Sequence, residues 1–262
     1  MNDFEANSLH IPEALPAATI MLIRDKPAGM EVLLLRKAAG THFAGGAMVF
    51  PGGKMESYDE EWAMRLGIET QPFAALKLAA IREMYEECHI LLCNNEKTQC
   101  PLSEDKLKTL LGDEFRQNFF KAMRRHSLYP AINQLKRFAH WVTPPMRSKR
   151  YDTHFFVARA PAGQWKLIVD GFEIVEGNWR RPKDILEDVY LGRLKLILPT
   201  MMNLMKLGQS KTVDSVLARA ERENVICIQP KREETEDGPR IIIPEEAGYG
   251  VTHIQPNFLR PS

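Results

Sequence analysis

The sequence has little cysteine, and its four residues of that type, Cys88, Cys93, Cys100 and Cys227, form no Cys-x-x-Cys pair. That spacing argues against a structural zinc site and against a disulfide framework, and free thiols in a reducing cytoplasm are the default expectation. An excess of either charge is also missing. The 262 residues carry 35 basic and 34 acidic side chains, a formal net charge of +1, so no global field draws the chain to nucleic acid or to an anionic membrane surface. No apolar run approaches the ~18 residues of a membrane span. Residues 1 to 20 carry acids and prolines instead of a basic end followed by an apolar run, and Arg260, Pro261 and Ser262 do not make a peroxisomal address. Internal repeats and long flexible linkers are absent. What remains is an ordinary globular composition, 44% hydrophobic and 26% charged, long enough for one large domain or two small ones.

The periodicity that is present alternates between strand and helix. Residues 15 to 23 read as a strand, 25 to 29 (DKPAG) as a turn and 30 to 37 as a second strand, together a hairpin. A loop, a short strand and a glycine loop follow through residue 54, and residues 55 to 71 read as polar and irregular. Pro72 suits a helix start, and Phe73, Ala80, Met84 and Cys88 mark one face of an amphipathic helix, with Ile81 beside it. Residues 103 to 126 are charged and read as helical. Strands are expected at 138–145 and 150–161, around a proline turn, and at 171–182. A short helix follows near 182–193, another begins at Pro199, and residues 211 to 222 extend the helical region. Residues 225 to 230 read as a strand, and the charged run 231–238 as a solvated turn. These elements make an α+β fold with an α/β/α layering: one domain over 1–262 with a helical insertion at 95–135. That insertion is open to three roles, a lid, a homodimer contact or a scaffold.

The stretch REMYEECHILL, residues 82 to 92, crowds Glu83, Glu86 and Glu87 onto one helix face, because positions i, i+3 and i+4 are neighbours there. Like charges at that spacing cost about 0.2–0.5 kcal/mol per pair on a solvated surface, and more in a cleft unless they are protonated or neutralised. Arg82 is one counter-charge. A hard divalent cation is another, since Mg²⁺ prefers carboxylate oxygen. A solvated helix face is the plain alternative. Upstream, VFPGGK (49–54) sets Gly52 and Gly53 after a short strand, where backbone amides can come close to a ligand or a helix.

Gly53, Arg82, Glu83, Met84, Glu86, Glu87 and Ile90 together resemble the signature of the Nudix hydrolase family, Gly-x5-Glu-x7-Arg-Glu-U-x-Glu-Glu-x-Gly-U, where U is a bulky apolar residue. Three departures stand out. The stretch from Gly53 to Arg82 is 15 residues longer than the signature, Ala74 stands eight positions before Arg82 where the signature has an acid, and His89 replaces the late glycine. The stretches VLLLRKAAGTHFAGGAMVFPGGK, HWVTPPMRSKRYDTHFFVA, EGNWRRPKDIL and LPTMMNL resemble the longer branch of the family that includes the coenzyme A and acyl-CoA diphosphatases. The resemblance covers most of residues 15 to 205.

The resemblance implies a hydrolase acting on the diphosphate of a small nucleoside diphosphate derivative. Glu83, Glu86 and Glu87 would hold Mg²⁺ or Mn²⁺, Gly53 would add a backbone ligand, and Arg82 would orient a glutamate. The general base would be Glu83 or an acid of the segment FEIVEGNW, Glu173 or Glu176, with Glu176 preferred. Arg36, Lys37, Arg147, Lys149 and Arg150 would meet substrate phosphates, arginine forks being suited to that task. A solvated basic loop is the other reading of the last three. Trp141, Phe155, Phe156 and Trp179 are candidates for stacking adenine, though aromatic residues in strands are usually core. His42, His140 and His154 show no ligand spacing. Coenzyme A or its thioesters lead as substrate, ADP-ribose or another nucleoside diphosphate derivative follows, and a catalytically silent Nudix-fold binding module is the rival class.

Overall fold

A computed structural model of the chain describes residues 11–41, 44–95, 102, 105, 118–164 and 166–255. His42, Cys100 and most of the expected insertion lie outside these residues. Within that stretch the helix Phe119–Arg125 is present. Among the described residues no helix is long and apolar enough to cross a membrane.

The run Ile20-Met21-Leu22-Ile23 is buried without interruption, the pattern of a strand covered on both faces. It lies in strand β1 (Ala14–Arg24), the centre of a mixed sheet. β1 pairs antiparallel with β2 (Glu31–Lys37) and with β4 (Gly52–Lys54), and parallel with β8 (Arg150–Arg159). β8 pairs antiparallel with β7 (Lys136–Val142), β3 (Met48–Val49) extends the sheet beyond β2, and β9 (Ile174–Arg180) also pairs with β2. Successive strand residues point to opposite faces. Ala18, Ile20, Leu22, Leu33 and Leu35 therefore enter one core, and Met21, Ile23, Val32 and Leu34 the other. Helices α1 (Ser57–Arg65) and α2 (Ala74–Cys88) cover the first face. The helices Pro182–Tyr190, Leu198–Gly208 and Val213–Arg222 pack on the second. The expected α+β layering is present.

Two local expectations are corrected. Residues 57–65 are helical, not irregular: Glu56 and Asp59 form a reciprocal capping box, and Trp62 and Ala63 are buried. The run 231–238 is not only a turn. Its first five residues form strand β11 (Lys231–Thr235), paired with β12 (Gly238–Ile242) through a two-residue turn that Gly238 closes at φ +101°. The ends of α2 are set by their backbone. Phe73, before its first residue, and His89, after its last, both take left-handed backbone conformations, at φ +61° and +57°. Such a conformation costs a non-glycine residue roughly 1–2 kcal/mol. Side-chain contacts hold both residues there. The Phe73 ring packs on His154, 5.0 Å between centroids, beneath the Arg137 guanidinium. His89 Nδ1 hydrogen-bonds the Ile168 carbonyl at 2.7 Å. His89 thus makes the turn for which the family signature uses glycine.

Candidate active site

Helix α2 runs from β8, where Phe73 meets His154, to β4 and β2, where its acids come together. Arg82 lies at the centre of these acids and is buried. Its Nε and Nη2 donate to the two carboxylate oxygens of Asp59 at 3.0 and 2.9 Å, and Nη2 also reaches the Lys54 carbonyl at 3.1 Å. Nη1 donates to Glu83 at 2.8 Å and Glu86 at 3.1 Å. Such a fork suits a rigid planar guanidinium and not an ammonium. Although burial opposes the charge, Asp59 and Glu83 raise the Arg82 pKa well above the ordinary arginine value.

Asp59 is the residue that the sequence reading missed. It is fully buried. The signal was present: Asp59 stands six positions after Gly53, the spacing at which the Nudix signature has its first acid. The extra residues therefore fall between Asp59 and Arg82, and Ala74 does not mark a lost charge.

Glycine is required beneath Glu83. A Cβ on Gly53 would fall 2.5 Å from a Glu83 carboxylate oxygen, so any side chain there would displace that carboxylate from its place beside Arg82. The Gly52 amide donates to Glu87 Oε2 at 2.9 Å. Lys37 Nζ approaches Glu87 Oε1 to 3.6 Å and hydrogen-bonds Glu173. Burial pushes Glu83 up to about 7 against the pull of Arg82, and Glu87 up to about 8 against the pull of Lys37 and the Gly52 amide. Glu86 is raised too, again by burial first. Among the described residues, five carboxylates, Asp59, Glu83, Glu86, Glu87 and Glu173, share the two cations Arg82 and Lys37. An all-oxygen donor set short of positive charge fits a hard divalent ion such as Mg²⁺ or Mn²⁺.

The other predicted site residues fall elsewhere. Glu176 is not with the cluster. It pairs with Arg36, directly opposite it on β2, at 2.6 Å, and accepts from Asn178. A register shift between Arg36 and Lys37 turns Lys37 toward Glu173, so Glu173 is the acid of that segment that reaches the site. Arg36 is engaged with Glu176 and shares no ion pair with Glu83, Glu86 or Glu87 among the described residues. Arg150 gives its guanidinium to the carbonyls of Thr143 and Pro12, at 3.1 and 2.6 Å. Arg147 and Lys149 are exposed and make no ion pair with the glutamates among the described residues. Trp141, Phe155 and Phe156 are core, and Trp179 packs against it beneath Arg24.

A second cluster gathers His140, Asp152 and His154, with one ligand atom from each within 4.8 Å of the others. His140 and His154 are opposed across β7 and β8, their rings stacked at 4.0 Å, which spacing along the sequence does not reveal. Arg137 contacts Nδ1 of His140 at 3.2 Å and Nδ1 of His154 at 3.4 Å. Arginine only donates, so both Nδ1 atoms accept and the proton of each neutral ring sits on Nε2. His140 Nε2 then donates to Asp152. A protonated nitrogen has no lone pair for a metal, and moving the proton to Nδ1 would set it against Arg137. This cluster is a hydrogen-bonded latch, and the carboxylates of α2 are the better cation site.

The family model described as the NUDT19 Nudix domain matches residues 68–207. The chain belongs to that family. Acyl-coenzyme A diphosphatase NUDT19 of Xenopus laevis is 26% identical to it over 247 residues, covering 76% of this chain and 65% of that protein. The protein of the same name from Gallus gallus is 25% identical over 233 residues, covering 69% of this chain and 62% of that one. The matches thus span a little under two thirds of the length of these Nudix relatives. The crystal structure of a Nudix hydrolase from Alicyclobacillus acidocaldarius superposes with a TM-score of 0.66 at 27% identity, covering 79% of this chain and 97% of that one.

Proposed function

We propose that this protein is a metal-dependent hydrolase of the diphosphate bond in a nucleoside diphosphate derivative, and that coenzyme A or an acyl-CoA is the substrate class. The observation that carries the reaction class is the group of five carboxylates, Asp59 and Glu87 buried among them, that share two cations. Glu83, Glu86 and Glu87 hold Mg²⁺ or Mn²⁺, and Gly53 adds a backbone oxygen. Bound there, the ion would neutralise the diphosphate and lower the pKa of a bound water. Arg82, fixed by Asp59, orients Glu83 and Glu86. Glu173, rather than Glu176, is the acid of its segment that borders this site, through its bond with Lys37. The substrate class rests on the names of the relatives and on the stretches that resemble the coenzyme A branch. The chain acts as one domain, with α1 and α2 on one face of the sheet and the remaining helices on the other.

The test is hydrolysis of coenzyme A and a medium-chain acyl-CoA with Mn²⁺ or Mg²⁺, the products read by mass spectrometry. The expected products are 3′,5′-ADP with phosphopantetheine or its acyl form. Glu87→Gln should lose most of the activity while keeping the fold, since the amide preserves shape but not the charge. Activity that survives exhaustive chelation would overturn the metal assignment. Cleavage of ADP-ribose with coenzyme A inert would overturn the substrate class and leave the reaction standing. Mn²⁺ binding without turnover on any diphosphate would leave a binding module.

A further inference from the structure

The two cations of the acid cluster are held in unlike ways. Arg82 is locked, its guanidinium bonded to Asp59, Glu83, Glu86 and the Lys54 carbonyl. Lys37 ends a flexible stem. It lies 3.6 Å from Glu87 Oε1, within ion-pair range but beyond a good hydrogen bond. Its hydrogen bond goes to Glu173. The two acids also differ in setting. The Glu87 side chain is 8% exposed and that of Glu173 58%. Glu173 is fixed from its own loop: the Asp170 carboxylate accepts the backbone amides of Phe172, Glu173 and Ile174 at 2.7, 2.9 and 3.0 Å. Lys37 is therefore bonded to an acid at the rim and only electrostatically close to the buried one.

A divalent ion on Glu83, Glu86 and Glu87 would set its charge against the Lys37 ammonium across a few ångströms. We infer that Lys37 is a resident counter-ion of Glu87 that yields to the metal, and that Glu173 is the tether that draws it aside. On this inference Lys37 opposes metal binding, whereas Glu173 favours it without being a ligand. The inference rests on the proposed metal site and assigns both residues as positioning residues.

The experiment is a calorimetric Mn²⁺ titration of the full chain, with melting of the chelated protein measured beside it. Lys37→Met should tighten Mn²⁺ by about tenfold, as expected for removing a like charge at short range in a partly buried site, and should lower the melting point of the chelated protein. Glu173→Gln, a change at the rim that leaves the core untouched, should weaken Mn²⁺ several-fold because Lys37 falls back on Glu87. In the double variant the Glu173 effect should vanish. Unchanged or weaker binding in a folded Lys37→Met protein overturns the inference. So does a Glu173→Gln loss that persists without Lys37, which would make Glu173 a ligand. If Lys37→Met does not fold, Glu173→Gln still decides: unaltered Mn²⁺ affinity overturns the inference. A wild-type protein that takes up no Mn²⁺ overturns the metal reading itself and this inference with it, a result distinct from normal binding that ignores Lys37.

Discussion

Asp59 shows how much one buried side chain can carry. It is fully enclosed and accepts from Nε and Nη2 of the Arg82 guanidinium. Removing one partner of a buried pair typically costs about 3–5 kcal/mol, because the other charge is left without compensation. Asp59→Ala should therefore destabilise the protein by roughly 3 kcal/mol in urea unfolding. The loss of turnover should exceed what unfolding explains, because a freed Arg82 would close on Glu83 and Glu86 and compete with the cation. A variant with wild-type stability and turnover would show that Arg82 is held by its other bonds alone. Sequence reading passed over Asp59 for a physical reason. It sits among Glu56, Ser57, Glu60 and Glu61, and a charge buried on a helix breaks the apolar period by which helices are found.

At the scale of elements, the hairpin, the strand that becomes β8 and α2 were legible because their apolar residues recur at strand or helix spacing, whereas the parallel pairing of β8 with β1 was not. The choice between Glu173 and Glu176 was not. The two acids stand three apart, and a register shift in the pairing of β2 with β9 decides which one shares a face with Lys37. A bulge leaves little trace in the letters, although it reverses the side on which a residue lies. The latch of Arg137, His140, Asp152 and His154 was hidden in the same way, by cross-strand register. Its consequence is a dependence on pH. Burial, then His140 and Arg137, push His154 down to about 4, against the pull of Asp152. The unfolded chain takes up this proton near the ordinary value of about 6.5. Stability from the neutral ring is then fully present above about 6.5 and lost as the pH falls toward about 4. Melting curves of the wild type and His154→Gln, compared between these limits, should show the shallower decline in the variant. Equal slopes would remove His154 as the cause.

At the scale of the whole molecule, the family model ends at residue 207, but the second core does not. Ile228, Ile243, Tyr249 and Ile254 are buried in it. The Tyr249 hydroxyl receives the Trp141 indole at 2.9 Å and donates to Asn203 at 3.0 Å. Ending the chain after residue 224 should therefore expose the sheet face under Trp141 and leave a protein that aggregates or melts far lower, instead of an intact catalytic domain. A truncated chain with an unchanged melting point would divide the fold in two. The full chain should unfold in one transition. The two left-handed residues that flank α2 bear on the history of the chain. Phe73 is fastened to β7 and β8 through Arg137 and His154, and His89 to the loop at Ile168. With both ends anchored, one residue more or fewer between them would turn every later side chain by about 100° and carry the acids off their glycines. Length can vary outside the anchors, and residues 60–72, between Asp59 and Phe73, have room for most of the extra residues of this chain.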